Sequence, residues 1–226
     1  MGRITGGTFS ITTDRIYLLL DSSNQSSYPG TGTTWYDLIG NNNAVMSNIS
    51  YSLDNFGSFN FNGSSSFAQV PFNSWNFNAS MSIMVVMRPK ENDGNRRNPF
   101  NIAYGGPGTW THESGGEINC FYGTSGINTD PYVSLGSAVI SQNEWAIMCF
   151  TRDPSTVRWY KNGLVTSEGA NPYGASVNTG TSDILIGSGY VSPYLGNINF
   201  VAIWNKALTA NEVLQTTDAI KYKFNL

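Results

Sequence analysis

Short apolar runs recur along the whole chain and are separated by clusters of turn-forming residues. Spacers such as PGTG, NNN, NGSSS, GGPG and SGG are rich in Gly, Asn, Ser and Pro, which favour chain reversal. Regular spacing of this kind predicts an all-β sandwich or barrel. The predicted strands cover 15–20, 44–51, 58–62, 66–71, 80–88, 99–104, 117–122, 131–135, 145–152, 156–161, 164–167, 183–187 and 196–204.

Two of these strand signals are specific enough to place elements. Residues 156–161 and 164–167 flank Asn162-Gly163. Asn-Gly supplies the two positive φ angles of a type I′ turn, so the pair predicts a hairpin. The segment 80–88 reads SMSIMVVMR and is apolar at consecutive positions, which predicts a central strand covered on both faces.

One helix is predicted near the C-terminus, over about 209–219. Thr209 is a suitable N-cap, and Glu212 stands three residues later, which is the spacing of a capping box. Val213 and Ile220 supply an apolar face for this segment.

The low charge of the chain excludes several classes of function. Only 12% of the 226 residues are charged, and the net charge is −3. Lys and Arg are scattered singly or in pairs, so binding to nucleic acid is not expected. No apolar run approaches the roughly 20 residues that span a bilayer, so no membrane association is expected. The N-terminus has no secretory signal pattern.

Cysteine and histidine are scarce. Cys120 and Cys149 lie in apolar surroundings, which favours buried free thiols over a disulfide. His112 is the single histidine, so zinc binding or catalysis through a histidine base would depend on that one ring.

Four segments, in order along the chain, resemble a known family. They are YLLLDSSNQSSYPGTGTTWYDLIGNNN (17–43), SFNFNGSSSFAQVP (58–71), EWAIMCFTRDPSTVRWYKNGLV (144–165) and ILIGSGYVSPYLGNINFVAIWNKALTANEVLQ (184–215). Together with the tail DAIKYKFNL, they are similar to the laminin-G-like, concanavalin A-like domains of tailed-bacteriophage structural proteins. The resemblance covers roughly 16–226.

The resemblance implies a concanavalin A-like jelly-roll sandwich of two antiparallel sheets with one short C-terminal helix. The domain is expected to span 15–226, including the helix and the tail. Residues 1–14 are expected to form an N-terminal arm, rich in Gly and Thr, that is either frayed or laces neighbouring copies together.

The chain departs from the family where many relatives carry carboxylates. Asn62 and Ser64–Ser66 stand in the turn that is acidic in those relatives, which argues against calcium there because calcium requires several oxygen ligands with negative charge. Asp21, Asn24 and Asp37 could supply oxygens elsewhere, but bracing of turns is the favoured interpretation. We therefore expect no metal site and no cofactor, with calcium as the alternative.

Hydrolysis of glycosides is also not expected. Enzymes of this fold use paired carboxylates on one strand. The nearest candidates, Glu113 and Glu117, are separated by Ser-Gly-Gly, which indicates a turn. We therefore expect no enzymatic activity.

Aromatic residues in or beside the Gly-rich loops are candidate contacts for a carbohydrate. Rings stack on the apolar faces of sugars, and loops at one rim of a sandwich commonly carry function. The alternative is that the rings pack over the sheets or between subunits. The candidates are Trp110, His112, Tyr122, Tyr132, Tyr190 and Tyr194.

The segment 89–100 is the one dense cluster of charge. Its mixed signs, flanking prolines and Asp-Gly predict an exposed loop. Lys90, Arg96 and Arg97 are the candidate docking residues of this loop, and a solvated connector is the alternative.

Two alternative functions follow, and the phage context of the first is implied by the resemblance alone. The first is a non-catalytic structural protein of a phage particle, made in the host cytoplasm, located in the virion as head decoration or with the tail. It would bind other phage structural proteins and copies of itself. The second is a lectin-like adhesin that binds host or environmental polysaccharide.

Overall fold

The computed structural model describes residues 10–53, 57–72, 80–90, 93–175 and 182–224. Within them the chain forms strands and one C-terminal helix. The strands are β1 (Ile16–Asp21), β2 (Thr34–Trp35), β3 (Ala44–Ser47), β4 (Ser50–Ser52), β5 (Ser58–Asn62), β6 (Phe67–Val70), β7 (Met81–Pro89), β8 (Arg97–Ala103), β9 (Gly108–His112), β10 (Glu117–Gly123), β11 (Tyr132–Val139), β12 (Ala146–Arg152), β13 (Thr156–Lys161), β14 (Leu164–Ala170), β15 (Ile184–Ile186), β16 (Ser192–Pro193) and β17 (Leu195–Trp204), and the helix is α1 (Ala210–Phe224).

The strands form two sheets. The first sheet has the order β14-β13-β12-β7-β17-β5-β4, with β1 also paired to β17. The second sheet has the order β11-β10-β9-β8-β15-β6-β3-β2. Pairing is antiparallel apart from the short parallel contact of β16 with β8. This is the predicted concanavalin A-like jelly-roll sandwich, so the predicted fold class is confirmed.

The core lies between the sheets and is rich in aromatic side chains. Trp35, Trp110 and Trp159 are fully buried in it. The rings of Trp110 and Trp159 meet edge to face, with centroids 4.6 Å apart. Edge-to-face pairs are favoured by the ring quadrupoles and add to the gain from burial.

The central strand of the first sheet is covered on both faces, as predicted. Every residue of β7 from Met81 to Met87 is buried. Ile83 and Val85 face the core between the sheets, whereas Met84 and Val86 belong to a second apolar cluster on the outer face. Alternation along a strand puts successive side chains on opposite faces, so both faces of β7 need a cover.

Helix α1 provides much of the cover on the outer face. Val213 and Ile220 pack into the second apolar cluster. The predicted capping box is confirmed, because the amide of Thr209 donates to Glu212 Oε2 (2.9 Å) and the amide of Glu212 donates to Thr209 Oγ1 (3.3 Å). The helix runs further than the predicted 209–219. No helix among the described residues is long and apolar enough to cross a membrane.

The last part of the expected N-terminal arm packs on the domain itself. The carbonyl of Thr12 accepts a hydrogen bond from Trp204 Nε1 (2.7 Å), and its amide donates to Thr216 Oγ1 (3.2 Å). Asp14 forms an ion pair with Lys206 at 2.9 Å. Residues 1–9, for which lacing of neighbours was expected, lie outside the described residues.

The predicted hairpin is confirmed. Asn162 and Gly163 have φ angles of 52° and 86°, and Lys161 pairs with Leu164 across the turn. The Oδ1 atom of Asn162 also accepts a hydrogen bond from the amide of Ile147, which ties the turn to β12 (2.9 Å).

Cys120 and Cys149 are free and buried, as predicted. Burial raises the pKa of both thiols.

The single strand predicted over 44–51 is two strands, β3 in the second sheet and β4 in the first. Three further strands of the described residues were missed in the sequence. The most consequential is β9, because GGPGTWTHESGG was interpreted as a loop, whereas residues 108–112 pair with both β8 and β10. The other two, β2 and β16, have two residues each and carry little pattern.

Candidate functional site

The outer face of the second sheet carries a hollow lined by aromatic side chains. Strand alternation produces it: Trp110, Cys120 and Tyr122 face the core, so Thr109 and Phe121 face outward. We call it the aromatic hollow, of about 350 Å³ counted out to the solvent that it opens to. Its lining residues are Arg96, Tyr104, Thr109, Thr111, Phe121, Tyr132 and Tyr190.

Four rings form the wall of the aromatic hollow. Tyr104 meets Tyr190 and Tyr132 edge to face, with centroids 4.7 Å and 5.0 Å away. Tyr132 in turn meets Phe121 at 5.9 Å. Tyr190 and Tyr132 remain 63% and 43% exposed, so ring surface is available to a ligand.

The charged residues at the rim of the aromatic hollow neutralise each other. The Arg96 guanidinium lies 5.2 Å from the centroid of the Phe121 ring and forms an ion pair with Glu113 at 2.8 Å. The other Glu113 oxygen accepts hydrogen bonds from Thr111 (2.5 Å) and Asn119 (3.1 Å). Burial raises the pKa of Glu113, but these three donors outweigh it and hold the pKa below its usual range.

Two neighbouring loops fix the tyrosines in place. The Oδ1 atom of Asn98 accepts a hydrogen bond from the amide of Val191 (2.5 Å), and its Nδ2 atom donates to the carbonyl of Trp110 (2.7 Å). Asn98 therefore holds the Tyr190 loop against β8 and β9. The amide of Tyr104 donates to Asn128 Oδ1 (3.0 Å) in the loop that precedes β11.

A second depression lies on the same sheet face. It occupies about 830 Å³, again counted out to solvent. We call it the amide hollow, and its lining residues are Gln69, Asn101, Ile102, Asn128, Ser182, Asp183 and Leu185. Asn101 accepts a hydrogen bond from Thr109 (2.6 Å), so the two hollows meet at this pair.

Of the six predicted aromatic contacts, the structure brings Tyr132 and Tyr190 together at the aromatic hollow. The prediction was wrong for the other four, which are buried and offer no surface to a ligand: Trp110, His112, Tyr122 and Tyr194. The reason for Trp110 and His112 is that they lie on β9 and point into the sandwich, not into a loop.

Burial also shifts the pKa values of the predicted contacts that prove to be buried. It lowers the pKa of His112, against a smaller opposing effect of the hydrogen bond to the backbone of Ile140. It raises the pKa of Tyr122 to about 12 and that of Tyr194 well above its usual value. These side chains serve the core.

The predicted docking loop divides into separate parts. Lys90 is exposed directly after β7, and Arg96 turns back over Phe121. Arg97 was predicted to be exposed but is buried at the start of β8. It forms an ion pair with Asp93 and donates to the carbonyls of Gly63 (3.1 Å) and Pro193 (2.7 Å), so it joins three segments.

Sequence reasoning missed Tyr104, Phe121 and the two threonines of the aromatic hollow. A usable signal for Phe121 is the alternation in INCFYG, where Ile118, Cys120 and Tyr122 face inward. For Tyr104 the sequence offers a weaker signal, which is its position at the end of a predicted strand, directly before the pair Gly105-Gly106.

The oxygens considered for calcium brace turns. Asp37 accepts hydrogen bonds from four backbone amides, among them those of Leu19 (3.0 Å) and Gly40 (3.1 Å). Asn62 Oδ1 accepts hydrogen bonds from the amides of Ser64 and Ser65, both at 2.9 Å.

The two remaining candidates brace a turn in the same way. Asp21 accepts a hydrogen bond from the amide of Ser23 (3.0 Å), and Asn24 accepts one from the amide of Ser26 (2.9 Å). The described part of the chain contains no cluster of three His, Cys, Asp or Glu side chains that suits a metal ion.

The fold and its hollowed sheet face define the class: a jelly-roll β-sandwich of the concanavalin A type. A family match then places the chain within that class. The chain belongs to the concanavalin A-like lectin/glucanases superfamily, whose family model matches residues 62–214. No curated protein sequence matches the chain.

Solved structures share the fold at low sequence identity. Domain 4 of AbnA, an extracellular arabinanase from Geobacillus stearothermophilus in complex with arabinotriose, has a TM-score of 0.68 and 16% identity, over 90% of this chain and 98% of that one. The binding domain of Botulinum neurotoxin DC in complex with rat synaptotagmin II has a TM-score of 0.72 and 14% identity, over 92% and 52% of the two chains. Trypanosoma rangeli sialidase has a TM-score of 0.69 and 15% identity, over 94% and 34%.

This chain thus spans about a third of the sialidase and about half of the neurotoxin binding domain.

Proposed function

We propose that the protein is a non-catalytic carbohydrate-binding module and that the aromatic hollow holds the sugar. The observation that carries the proposal is the convergence of four rings with two threonines on an exposed sheet face. Binding sites for small ligands combine apolar walls with a few placed polar groups, and the aromatic hollow has that composition.

The chemistry of the aromatic hollow suits a sugar ring. One face of a sugar ring is often apolar and stacks on an aromatic ring, while its hydroxyls need donors and acceptors. Tyr190 and Tyr132 offer ring surface together with phenolic hydroxyls. Arg96 adds guanidinium donors at the rim. Because loop contacts hold the rings in place, little ordering is required on binding.

The similar structures support this proposal at the level of the fold. The arabinanase domain was solved in complex with arabinotriose, and this chain matches nearly its full length. The neurotoxin binding domain was solved with synaptotagmin, a protein, so the fold also supports protein contacts. Function has to be argued from the site, and the aromatic hollow favours sugar over protein.

We propose a binding role without catalysis because of the state of the nearest carboxylates. A glycosidase of the usual kind needs one carboxylic acid whose pKa is raised. At Glu113 the pKa is lowered, and its oxygens are held by Arg96, Thr111 and Asn119. Glu117 is exposed across the turn from it, with its carbonyl bonded to the amide of Glu113 (2.8 Å).

A glycan array tests the proposal. The protein is applied to neutral and acidic polysaccharides, alongside the double variant Tyr132→Ala/Tyr190→Ala and the control Tyr36→Ala. Tyr36 is 44% exposed and follows β2, at the opposite edge of the second sheet. We expect binding to at least one glycan, lost in the double variant and kept in the control. Equal binding by both variants would place the sugar elsewhere.

A second candidate is a structural protein of a phage particle, as head decoration or with the tail, in contact with other particle proteins and with copies of itself. It is supported by the resemblance of the four sequence segments and by a patch of exposed apolar side chains at the turn between β13 and β14. Leu164 and Val165 are 69% and 50% exposed. Exposed apolar patches of this kind favour protein contact.

The double variant Leu164→Asp/Val165→Asp separates the two candidates. If the patch docks on a particle, this variant fails to bind particles stripped of the protein, while glycan binding is unchanged. If glycan binding is the function, particle binding is absent in the unmodified protein too.

A further inference from the structure

The aromatic hollow and the amide hollow lie along one row of outward-facing residues. Gln69 pairs with Leu185, and Leu185 pairs with Asn101. Asn101 pairs with Thr109, and Thr109 pairs with Phe121. Neighbouring strands are about 4.8 Å apart, so the four steps from Gln69 to Phe121 span about 19 Å.

The two hollows differ in the groups that they offer. The aromatic hollow offers ring faces. The amide hollow offers side-chain amides and a carboxylate, which bind hydroxyls. Asn101 and Thr109 stand where the hollows meet and are hydrogen-bonded to each other at 2.6 Å. Both residues are buried, and Gly189 of the Tyr190 loop lies against Asn101, so a ligand that fills both hollows would pass over that glycine.

Within the described part of the chain, the one cation that lines either hollow already has an acidic partner. Among the described residues, Arg96 lines the aromatic hollow and is already paired with Glu113. Asp183 lines the amide hollow and accepts hydrogen bonds from Gln69 (2.5 Å) and from the amide of Phe72 (2.6 Å). An acidic sugar would therefore face net negative charge, which disfavours its binding.

We infer that the two hollows form one groove that binds an uncharged oligosaccharide, with a stacking subsite at Tyr190 and Tyr132 and a hydroxyl-binding subsite at Gln69, Asn128 and Asp183. This inference rests on the proposed function. It adds the ligand class, the direction in which the oligosaccharide crosses the strands, and the expectation that affinity rises with the number of sugar units.

Calorimetric titration with oligosaccharide ladders tests the inference. The probes are arabino-, xylo-, cello- and malto-oligosaccharides of one to six units, with oligogalacturonates as acidic counterparts. In the ladder that binds, we expect at least about tenfold tighter binding of the tetrasaccharide than of the disaccharide, and no comparable binding of the oligogalacturonates.

Two variants locate the second subsite. Gln69→Ala should weaken binding of the tetrasaccharide several-fold and leave the disaccharide unchanged. The matched control is Val45→Ala, because Val45 is the next residue in the row, is 55% exposed and lies outside both hollows. This control should leave both ligands unaffected.

The outcomes distinguish this inference from the proposed function. Affinity that does not change between two and six units, or preferred binding of the oligogalacturonates, would overturn the extended neutral groove and leave a sugar-binding aromatic hollow standing. Failure of every ladder and of the glycan array would contradict both.

Discussion

Trp110 lies on β9 and Tyr190 lies in the loop between β15 and β16, and their roles are opposite. Trp110 is fully buried between the sheets, whereas Tyr190 is 63% exposed. We expect Trp110→Ala to lower the free energy of unfolding by about 3–5 kcal/mol, as for other large-to-small changes in a core. Tyr190→Ala should change it by no more than about 0.5 kcal/mol. Chemical denaturation of both variants measures this, and similar losses for the two would contradict the assignment of faces.

His112 makes the stability of the fold depend on pH in a defined window. Burial lowers its pKa, so the folded protein resists protonation of this imidazole. Below about pH 6.5 the unfolded chain takes up a proton that the folded protein does not. The free energy of unfolding therefore decreases as the pH decreases. Because His112 is the single histidine and free carboxylates titrate near pH 4, we expect this residue to contribute most of the effect between pH 7.5 and 5.5.

Urea unfolding at pH 7.5 and 5.5 checks the prediction. The unmodified protein should be less stable at pH 5.5, and His112→Gln should show a smaller difference between the two pH values. An equal difference in both proteins would count against a buried neutral imidazole.

Gly189 determines how closely the Tyr190 loop approaches β8. A Cβ atom at this position would lie 2.7 Å from Asn101 Cβ and 2.9 Å from Asn98 Cγ, which is closer than side chains allow. Gly189→Ala should therefore push the loop outward, displace Tyr190 and weaken glycan binding about tenfold. Titration with the glycan identified on the array measures it. Unchanged affinity would show that the position of Tyr190 does not matter for binding.

At the scale of elements, the turn between β13 and β14 contains a glycine with a strict conformational requirement. Gly163 has a φ of 86°, and a Cβ atom there would lie 3.0 Å from Leu214 Cδ1. Gly163→Ala should lower the free energy of unfolding by about 1–2 kcal/mol because L-residues are strained in this region. The control is Gly115→Ala, since Gly115 has open space around its Cα and no positive φ. Thermal unfolding should separate the two variants, and equal melting temperatures would refute the strain.

Strand pattern and turn chemistry made much of the fold predictable. The segment at β7, the Asn-Gly hairpin and the capping box of α1 each combine a local signal with the tertiary environment that it implies. Strand β9 was missed because its sequence, GTWTH, stands between glycine clusters and is too short to show alternation. Its place in the sheet is fixed by pairing with β8 and β10, which a local pattern does not encode.

The candidate site was less predictable for the same reason. Tyr190 was found because it stands beside loop glycines, and Tyr132 because it follows the turn-forming pair Asp-Pro. The outward orientation of Phe121 and Thr109 depends on the register of β9 and β10. Their proximity to Tyr190 depends on the hydrogen bonds by which Asn98 holds the Tyr190 loop. These are contacts between residues distant in sequence, so composition around the loops selected buried rings as readily as exposed ones.

At the scale of the whole molecule, the two sheets have different outer faces. The first sheet is covered by α1 and by residues 10–14, which extends the apolar core outward. The second sheet carries both hollows on its outer face. The outer face of the first sheet therefore contributes to stability. In our proposal, the outer face of the second sheet binds the ligand. The low overall charge, −3 over 226 residues, is in keeping with a ligand held by stacking and hydrogen bonds.

The most direct test of this account is an amide NMR titration of the labelled protein with the oligosaccharide that binds on the array. The account predicts that shifts cluster on the outer face of the second sheet, at Thr109, Phe121, Tyr132 and Tyr190, and extend to Gln69 with longer ligands. Shifts confined to the β13–β14 turn or to the face covered by α1 would contradict it.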